Sequence, residues 1–130
     1  MFNPNLDTTR VAIIGPGRLG TSFAYKFGRD NKRVAIYYHD AEVCKAINKN
    51  HLNPLHLTED LANRLGGMDN VPRLSNKVYA TNDLEHIVEN SDFIILAITM
   101  NRLPEFLNYL KPMIDKKAGE TCLVSPIKGL

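Results

Sequence analysis

The sequence has no apolar run approaching the roughly 18 residues that a membrane-spanning helix needs. Its amino terminus, MFNPNLDTTR, lacks the basic region and apolar stretch of a secretion signal. The excess of one sign of charge is also small, because 16 basic and 14 acidic residues leave a formal net charge of +2. A field this weak does not favour nucleic acid or an anionic membrane as a partner. We therefore expect a cytoplasmic protein with neither of these partners.

Residues for metal or nucleophilic chemistry are sparse as well. Cys44 and Cys122 have no CxxC neighbour and fall in a predicted helix and a predicted strand, which favours buried, reduced thiols over a disulfide or a metal site. His51, His56 and His86 have no second ligand at a helical or hairpin spacing. Covalent hydrolysis is not indicated either, because no Ser, His and Asp set lies in a nucleophile-elbow context.

Short apolar runs alternate with stretches of helical period along the chain. With 130 residues, 44% hydrophobic and 23% charged, the chain fits one globular domain with a real core. The pattern predicts an α/β fold, a doubly wound, mostly parallel sheet of the Rossmann type. The predicted strands are about Arg10 to Ile14, Arg33 to Tyr38, Lys77 to Ala80, Phe93 to Ile98, and Thr121 to Ser125. The predicted helices are Leu19 to Phe27, ended by Gly28; one capped by Asp40; one from Asp83 through Val88; and Leu103 to Leu110, stopping before Pro112.

The region from Asn48 to Asn76 breaks this alternation, since it holds two prolines and two glycines around one short helical patch, Thr58 to Leu65. A connection longer than about 15 residues in a small domain is usually functional or poorly ordered. We expect this segment to be mobile or to contact a partner.

The string GPGRLG, from Gly15 to Gly20, joins the first strand to the first helix. In that position Gly15 permits a tight turn, Gly17 lets the backbone approach a pyrophosphate, and Gly20 lets the helix lie close to the strand. Free N–H groups at the helix start would hold the pyrophosphate of a dinucleotide. Arg18 could reach a phosphate oxygen or point to water. The alternative is a glycine-rich turn that only packs a helix on a sheet.

The end of the second strand, Tyr37-Tyr38-His39-Asp40, is where this architecture reads the ribose. Asp40 has the expected spacing from Gly20, yet counting along the strand puts Tyr38 or His39 at its tip. If His39 is at the tip, it can bond a ribose hydroxyl or, when protonated, meet a 2′-phosphate, while Asp40 mainly caps the next helix. The choice between NAD and NADP stays open.

Two further candidates follow the fourth and fifth strands, at the edge where ligands of open α/β sheets bind. Thr99 could contact the central riboses, although the stretch could also be an ordinary loop with Asn101 as a helix cap. Lys128 stands just past the fifth strand, where a lone ammonium can attract a substrate phosphate or polarise an oxygen.

Several segments together resemble the N-terminal domain of NAD(P)-dependent glycerol-3-phosphate dehydrogenases: VAIIGPGRLG, AIN at 46–48, ATNDL at 80–84, SDFIILAI at 91–98, LKP at 110–112 and the closing SPIKGL. The resemblance implies that Lys128 contacts substrate, that Arg18 and Leu19 contact the coenzyme, and that His39 matches a basic residue beyond the second strand. The chain departs from the family pattern at Leu19, where an aromatic is usual, at Thr99, where a proline is usual, and in the longer segment 52–76.

The family also has a second, helical domain that carries the proton-transferring lysine, and this segment stops before it. The implied reaction interconverts sn-glycerol 3-phosphate and dihydroxyacetone phosphate by hydride transfer, in glycerol phosphate metabolism and phospholipid biosynthesis. We expect coenzyme binding with little turnover from these residues alone. An apolar face left uncovered could drive a homodimer. The alternatives are a non-catalytic NAD(P)-binding module and the coenzyme domain of another two-domain reductase.

Overall fold

A computed structural model describes residues 10–15, 17–56, 59–99, 101–117 and 121–125. Strands and helices alternate along almost the whole of this part, with one additional helix in the long connection. The strands are β1 Arg10–Ile14, β2 Arg33–Tyr37, β3 Val78–Thr81, β4 Phe93–Leu96 and β5 Cys122–Val124. The helices are α1 Arg18–Arg29, α2 Ala41–Asn50, α3 Glu59–Arg64, α4 Leu84–Asn90 and α5 Leu103–Lys116.

The five strands form one sheet in the order β3-β2-β1-β4-β5, and all four pairings are parallel. Ile13 in the central strand is level with Ile36 on one side and Ile95 on the other. The strand order reverses direction between β1 and β4, so the loops leaving these two strands diverge and open a crevice at their carboxyl ends. The predicted Rossmann-type sheet is confirmed.

Side chains alternate between two hydrophobic cores, one on each face of the sheet. Val11 and Ile13 of β1 point into a core covered by α1 and α2, whereas Ala12 and Ile14 point into a core covered by α4 and α5. Burial on both faces explains why the strands read as continuous apolar runs rather than as alternating patterns.

Helix α1 does not end at Gly28 as predicted but continues to Arg29. Gly28 serves packing instead, because a Cβ there would lie 2.6 Å from Cγ2 of Val78 in β3. The missing side chain therefore lets α1 approach the sheet closely. The helix ends one residue later, where Asp30 is the C-cap and Asn31 takes a positive φ of 69°.

Helix α5 was predicted to stop before Pro112, and this was wrong, since it runs through that residue to Lys116. Proline removes the hydrogen bond to the carbonyl four residues earlier, here that of Asn108. Both residues are exposed, so water can satisfy this carbonyl. Buried Leu110 and the partly buried Met113 and Ile114 keep the helix on the second core beyond the proline.

The two cysteines differ in environment. Cys44 is buried, as predicted, and burial raises the pKa of its thiol. Cys122 was predicted to be buried as well, but it is an exposed free thiol on β5, a strand whose three residues are all exposed at the edge of the sheet. No helix among the described residues has the length and apolar character needed to cross a membrane.

The long connection between α2 and β3 packs on the body of the domain at several points. Asn53 is buried and its Nδ2 donates to Oγ1 of Thr21 on α1 at 2.8 Å. Farther along, the amide of Leu74 donates to the carbonyl of His51 at 2.7 Å. The helical patch predicted at Thr58 to Leu65 is observed as α3, while Thr58 itself lies outside the described residues.

The side chain of Asn48 binds the outer edge of the sheet. Its Nδ2 donates to the carbonyl of Ala80 at 2.9 Å, and its Oδ1 accepts from the amide of the same residue at 2.7 Å. Ala80 is buried in edge strand β3 while Asn48 is exposed, so these bonds are partly shielded from water. Asn48 thus pairs with the backbone N–H and C=O of Ala80 in β3 and links this strand to α2.

Replacing Asn48 by alanine should destabilise the fold by about 1–3 kcal/mol, because two partly buried hydrogen bonds to the backbone of Ala80 are lost. The measurement is urea unfolding of both proteins, followed by circular dichroism. Asn50→Ala is the matched control, since Asn50 is exposed near the end of the same helix, and it should change stability by less than about 0.5 kcal/mol. Equal effects of the two substitutions would contradict the role given to Asn48.

Candidate functional site

A cleft of about 540 Å³ lies at the carboxyl ends of β1, β2 and β4. Its volume is within the range of about 300–1,000 Å³ that is usual for small-molecule and cofactor sites. The lining comes from the loops after these three strands and from the first two turns of α5. It comprises Ile14, Gly15, Gly17, Tyr37, Tyr38, His39, Ala97, Ile98, Thr99, Arg102, Glu105, Phe106 and Tyr109.

Glycines shape the end of the cleft beneath α1. Gly15 has a φ of +110°, and a Cβ there would lie 2.5 Å from the carbonyl oxygen of Ala97. A Cβ on Gly20 would overlap the carbonyl oxygen of Gly15. Both residues are therefore needed for the start of α1 to lie against the ends of β1 and β4.

Gly17 differs from the other two glycines, because it is the N-cap of α1 and has open space around the position of a Cβ. Its φ of −66° is accessible to any residue. Nothing in the described fold requires glycine here. The open space in front of Gly17 is instead suited to a ligand that must approach the backbone.

The start of α1 is electrostatically suited to an anion. The first amides of a helix have no intrahelical acceptor, and the Gly17 cap has no side chain to supply one. The first turn of α1 contains no acidic residue and begins with Arg18, whereas α2, α4 and α5 have Glu42, Glu85 and Glu105 in their first turns. A negatively charged ligand would compensate this helix end.

The loop after β2 resolves the conflict between Asp40 and His39. Oδ1 of Asp40 accepts hydrogen bonds from the amides of Glu42 at 2.9 Å and Val43 at 3.4 Å, so Asp40 is the N-cap of α2. It is absent from the cleft lining, whereas His39 and Tyr38 are part of it, with their rings 4.3 Å apart. The side chains that reach the cleft from this loop are thus His39 and Tyr38, not Asp40.

Aromatic side chains make up part of the lining of the cleft. The rings of Tyr37 and Phe106 lie 6.0 Å apart at 52°, and Tyr109 continues the surface one turn further along α5. Burial, followed by the negative charges that Cys44 and Tyr109 would carry when ionised, raises the pKa of Tyr37. Its phenol stays neutral at pH 7 and offers a flat apolar face with a hydroxyl donor.

The structure brings most of the predicted coenzyme residues together. Gly15, Gly17, Tyr38, His39 and Thr99 line one cleft. Three others flank or support it: Arg18 and Leu19 are exposed in the first turn of α1, and Gly20 is buried beneath that turn. Leu19 is 45% exposed, so its side chain does not pack on the sheet.

Lys128, the predicted catalytic residue, lies outside the described residues. The part of the chain that is described contains no group of three or more His, Cys, Asp or Glu side chains placed to hold a metal ion.

The contribution of α5 was missed in the sequence. Arg102, Glu105, Phe106 and Tyr109 share one side of the helix, at spacings of three, four and seven residues from Arg102. The helix follows β4, and this placement at the ligand-binding edge was the available signal. Asn101, considered as a cap, is not one, since the N-cap of α5 is Arg102.

Comparison with known proteins identifies the family. A model of the NAD-dependent glycerol-3-phosphate dehydrogenase N-terminus matches residues 10–130. The chain belongs to this family. The resemblance found in the sequence is therefore confirmed, and NAD or NADP is the coenzyme consistent with the family description and with the names of the relatives.

Individual relatives agree with this assignment. A glycerol-3-phosphate dehydrogenase [NAD(P)+] from Acinetobacter baumannii (strain SDF) is 29% identical over 93% of this chain and 29% of its own length. One from Clostridium botulinum (strain Eklund 17B / Type B) is 30% identical over 94% of this chain and 32% of its own length. The chain thus spans about a third of the length of these curated relatives.

Solved structures show the same fold. The crystal structure of glycerol-3-phosphate dehydrogenase from Coxiella burnetii superposes with a TM-score of 0.74 at 18% identity, over 96% of this chain and 34% of that one. Identity at this level supports the common architecture of the domain and nothing finer.

We predict opposite outcomes for alanine at two glycines of the loop. Gly17→Ala should fold with unchanged stability but bind NADH and NADPH at least about tenfold more weakly, because its methyl group enters the space of the ligand. Gly20→Ala should lose about 1–3 kcal/mol of stability or more, because its Cβ meets backbone. Thermal unfolding and coenzyme fluorescence titration measure the two effects. A Gly17→Ala protein that binds normally would contradict the assignment of this space to a ligand.

Two substitutions of Asp40 separate helix capping from ribose binding. Asp40→Asn keeps a good cap, so stability and the affinity for NADH should both change little. Asp40→Ala should cost about 1 kcal/mol of stability, again with unchanged affinity in the protein that remains folded. A large loss of NADH affinity in Asp40→Asn would instead show that the carboxylate contacts the coenzyme.

Proposed function

We propose that this chain binds NAD or NADP in the cleft at the carboxyl ends of β1, β2 and β4. The open backbone at Gly17, next to an uncompensated helix start, is the observation that carries the proposal. A pyrophosphate there would accept from the first amides of α1 and meet the positive end of the helix dipole. Arg18 and Leu19, which are exposed in the same turn and flank the cleft, would also contact the coenzyme.

The other cleft residues would contact the rest of the coenzyme and orient it along the carboxyl edge of the sheet. Tyr38 and His39, after β2, are proposed to contact the adenosine ribose, and the aromatic surface of Tyr37 and Phe106 suits the adenine ring. Thr99, after β4, is proposed to contact the central part of the dinucleotide. The nicotinamide end would then project towards the side of β1 and β4 that faces β5.

We further propose that the domain serves the interconversion of sn-glycerol 3-phosphate and dihydroxyacetone phosphate, as the names of its relatives indicate. The nicotinamide supplies the hydride chemistry when it is bound. The contribution of the domain is to hold and orient that ring, and Lys128 is proposed to contact the substrate as a positive charge.

In the same proposal, these 130 residues bind the coenzyme but turn substrate over poorly without a proton-transferring group from a second domain. General acid and base assistance is worth about 10²–10⁴-fold in rate. The cytoplasmic location, the role in phospholipid biosynthesis and the homodimer formed through an uncovered apolar face stay predictions.

Fluorescence titration with NADH and NADPH tests the binding proposal directly. Saturable binding to the wild-type chain, weakened in Gly17→Ala, is the expected result. A folded chain that binds neither coenzyme at millimolar concentration would refute the proposal.

A coupled assay of dihydroxyacetone phosphate reduction tests the second part. We expect the rate of the isolated chain to be at least about 100-fold below that of a full-length family member assayed in parallel, because proton transfer is unassisted. A rate equal to that of the full-length enzyme would show that these residues hold the whole catalytic apparatus. Binding without any turnover, even when a second domain is supplied, would favour a non-catalytic module.

A further inference from the structure

We infer that Arg102, acting with His39, makes the cleft selective for NADP(H) over NAD(H) by binding the 2′-phosphate of the coenzyme. The inference rests on the proposed function, since it concerns the ribose end of the same cleft. It assigns a specificity-determining role to the first turn of α5, which the sequence pattern did not indicate.

Arg102 belongs to the lining of the cleft in which the coenzyme is proposed to bind. It is the N-cap residue of α5 and lines the cleft together with His39, which arrives from the loop after β2. Phe106, one turn later on the same side of α5, packs against Tyr37 and marks the aromatic surface suited to adenine. With adenine proposed on this surface, Arg102 and His39 would share the adenosine end of the cleft.

The guanidinium of Arg102 is available for a ligand. The residue is exposed, and within the described ranges no ion pair engages it. A planar guanidinium binds phosphate oxygens in a bidentate way. The 2′-phosphate carries nearly two negative charges at neutral pH and would give Arg102 the partner that the protein does not supply.

The carboxylate that usually selects NAD is missing from the loop after β2. An acidic side chain there accepts from the ribose hydroxyls and repels a 2′-phosphate. Asp40 is the acidic residue at the expected spacing, but its Oδ1 caps α2 and the residue does not line the cleft. The side chain in its place is the imidazole of His39, which can donate to a phosphate.

Glu105 is the only carboxylate in the described lining of the cleft, and it opposes the inference. It lies one turn beyond Arg102, in the first turn of α5, where the helix dipole stabilises an acidic residue. Arg102 would bond the phosphate oxygens directly, whereas Glu105 is exposed and would act on the phosphate only through a repulsion that solvent screens. Replacing Glu105 by glutamine should therefore strengthen the binding of NADPH.

The test is the dissociation constant of NADPH and of NADH, measured by fluorescence for the wild-type chain, Arg102→Gln and Arg102→Lys. We expect the wild type to bind NADPH at least about tenfold more tightly than NADH. Arg102→Gln should weaken NADPH binding by about tenfold or more while changing NADH binding less than about threefold. Arg102→Lys should fall between, since it keeps the charge but loses the bidentate geometry.

Two controls isolate the 2′-phosphate. Lys111→Gln removes a cation from the same helix outside the cleft, and both dissociation constants should stay unchanged. Competition with 2′,5′-ADP and with 5′-AMP tests the phosphate without the nicotinamide half. The first should displace bound NADPH from the wild type more effectively than the second, and this advantage should disappear in Arg102→Gln.

The outcomes separate the inference from the function it rests on. If neither coenzyme binds the folded wild type, the proposed function fails and the inference fails with it. If both bind equally, or if Arg102→Gln weakens both alike, the cleft is a coenzyme site but Arg102 does not select between coenzymes. A wild-type preference for NADH that is lost in Glu105→Gln would overturn the inference. It would show that Glu105 binds the ribose hydroxyls. Retained NADH binding in Arg102→Gln shows that the variant is folded.

Discussion

The close approach of the start of α1 to the ends of β1 and β4 determines where the candidate site lies. It is possible only because Gly15 and Gly20 lack side chains, so that the carbonyl oxygens of Ala97 and Gly15 can occupy the space of a Cβ. Backbone in contact with backbone leaves little freedom in the position of the helix. The amides that follow Gly17 are consequently held at the crevice before any ligand arrives, which lowers the ordering cost of binding.

Acidic and basic groups are divided between structural and binding positions around this crevice. Asp40 and Asp83 each cap a helix, with Asp83 accepting from the amide of His86 at 3.1 Å. Asp92 joins the amino ends of two strands, since it accepts from the amide of Arg10 at 3.0 Å. These carboxylates are committed to the fold, and the cationic side chains near the cleft, Arg18 and Arg102, are left to face solvent. The site is therefore biased towards anions even though the whole chain is nearly neutral.

The sequence was sufficient to predict the sheet, its parallel character and where most of the helices begin. Strands that are buried on both faces appear as continuous apolar runs, which can be recognised in the sequence. The prediction failed where tertiary contacts override local preference. Gly28 packs against β3 rather than ending α1, and α5 passes Pro112 because residues beyond it reach the second core.

In the candidate site, the glycine loop and the residues after β2 could be found from sequence because they follow strands at fixed spacings. The α5 face could not be found in this way, since its role depends on how that helix is docked across the sheet edge. The sequence left the conflict between Asp40 and His39 open for the same reason. Only the observed hydrogen bonds show that the carboxylate caps α2.

The hydrogen bonds from Asn48 also affect how readily the edge of the sheet can pair with a strand of another molecule. The amide of Val78 donates to Ser75, and that of Ala80 donates to Asn48, so these outward donors of β3 are already used within the chain. An incoming strand from another molecule would find few groups to pair with on that side. The chain itself thus protects the β3 edge against pairing with a strand of another molecule.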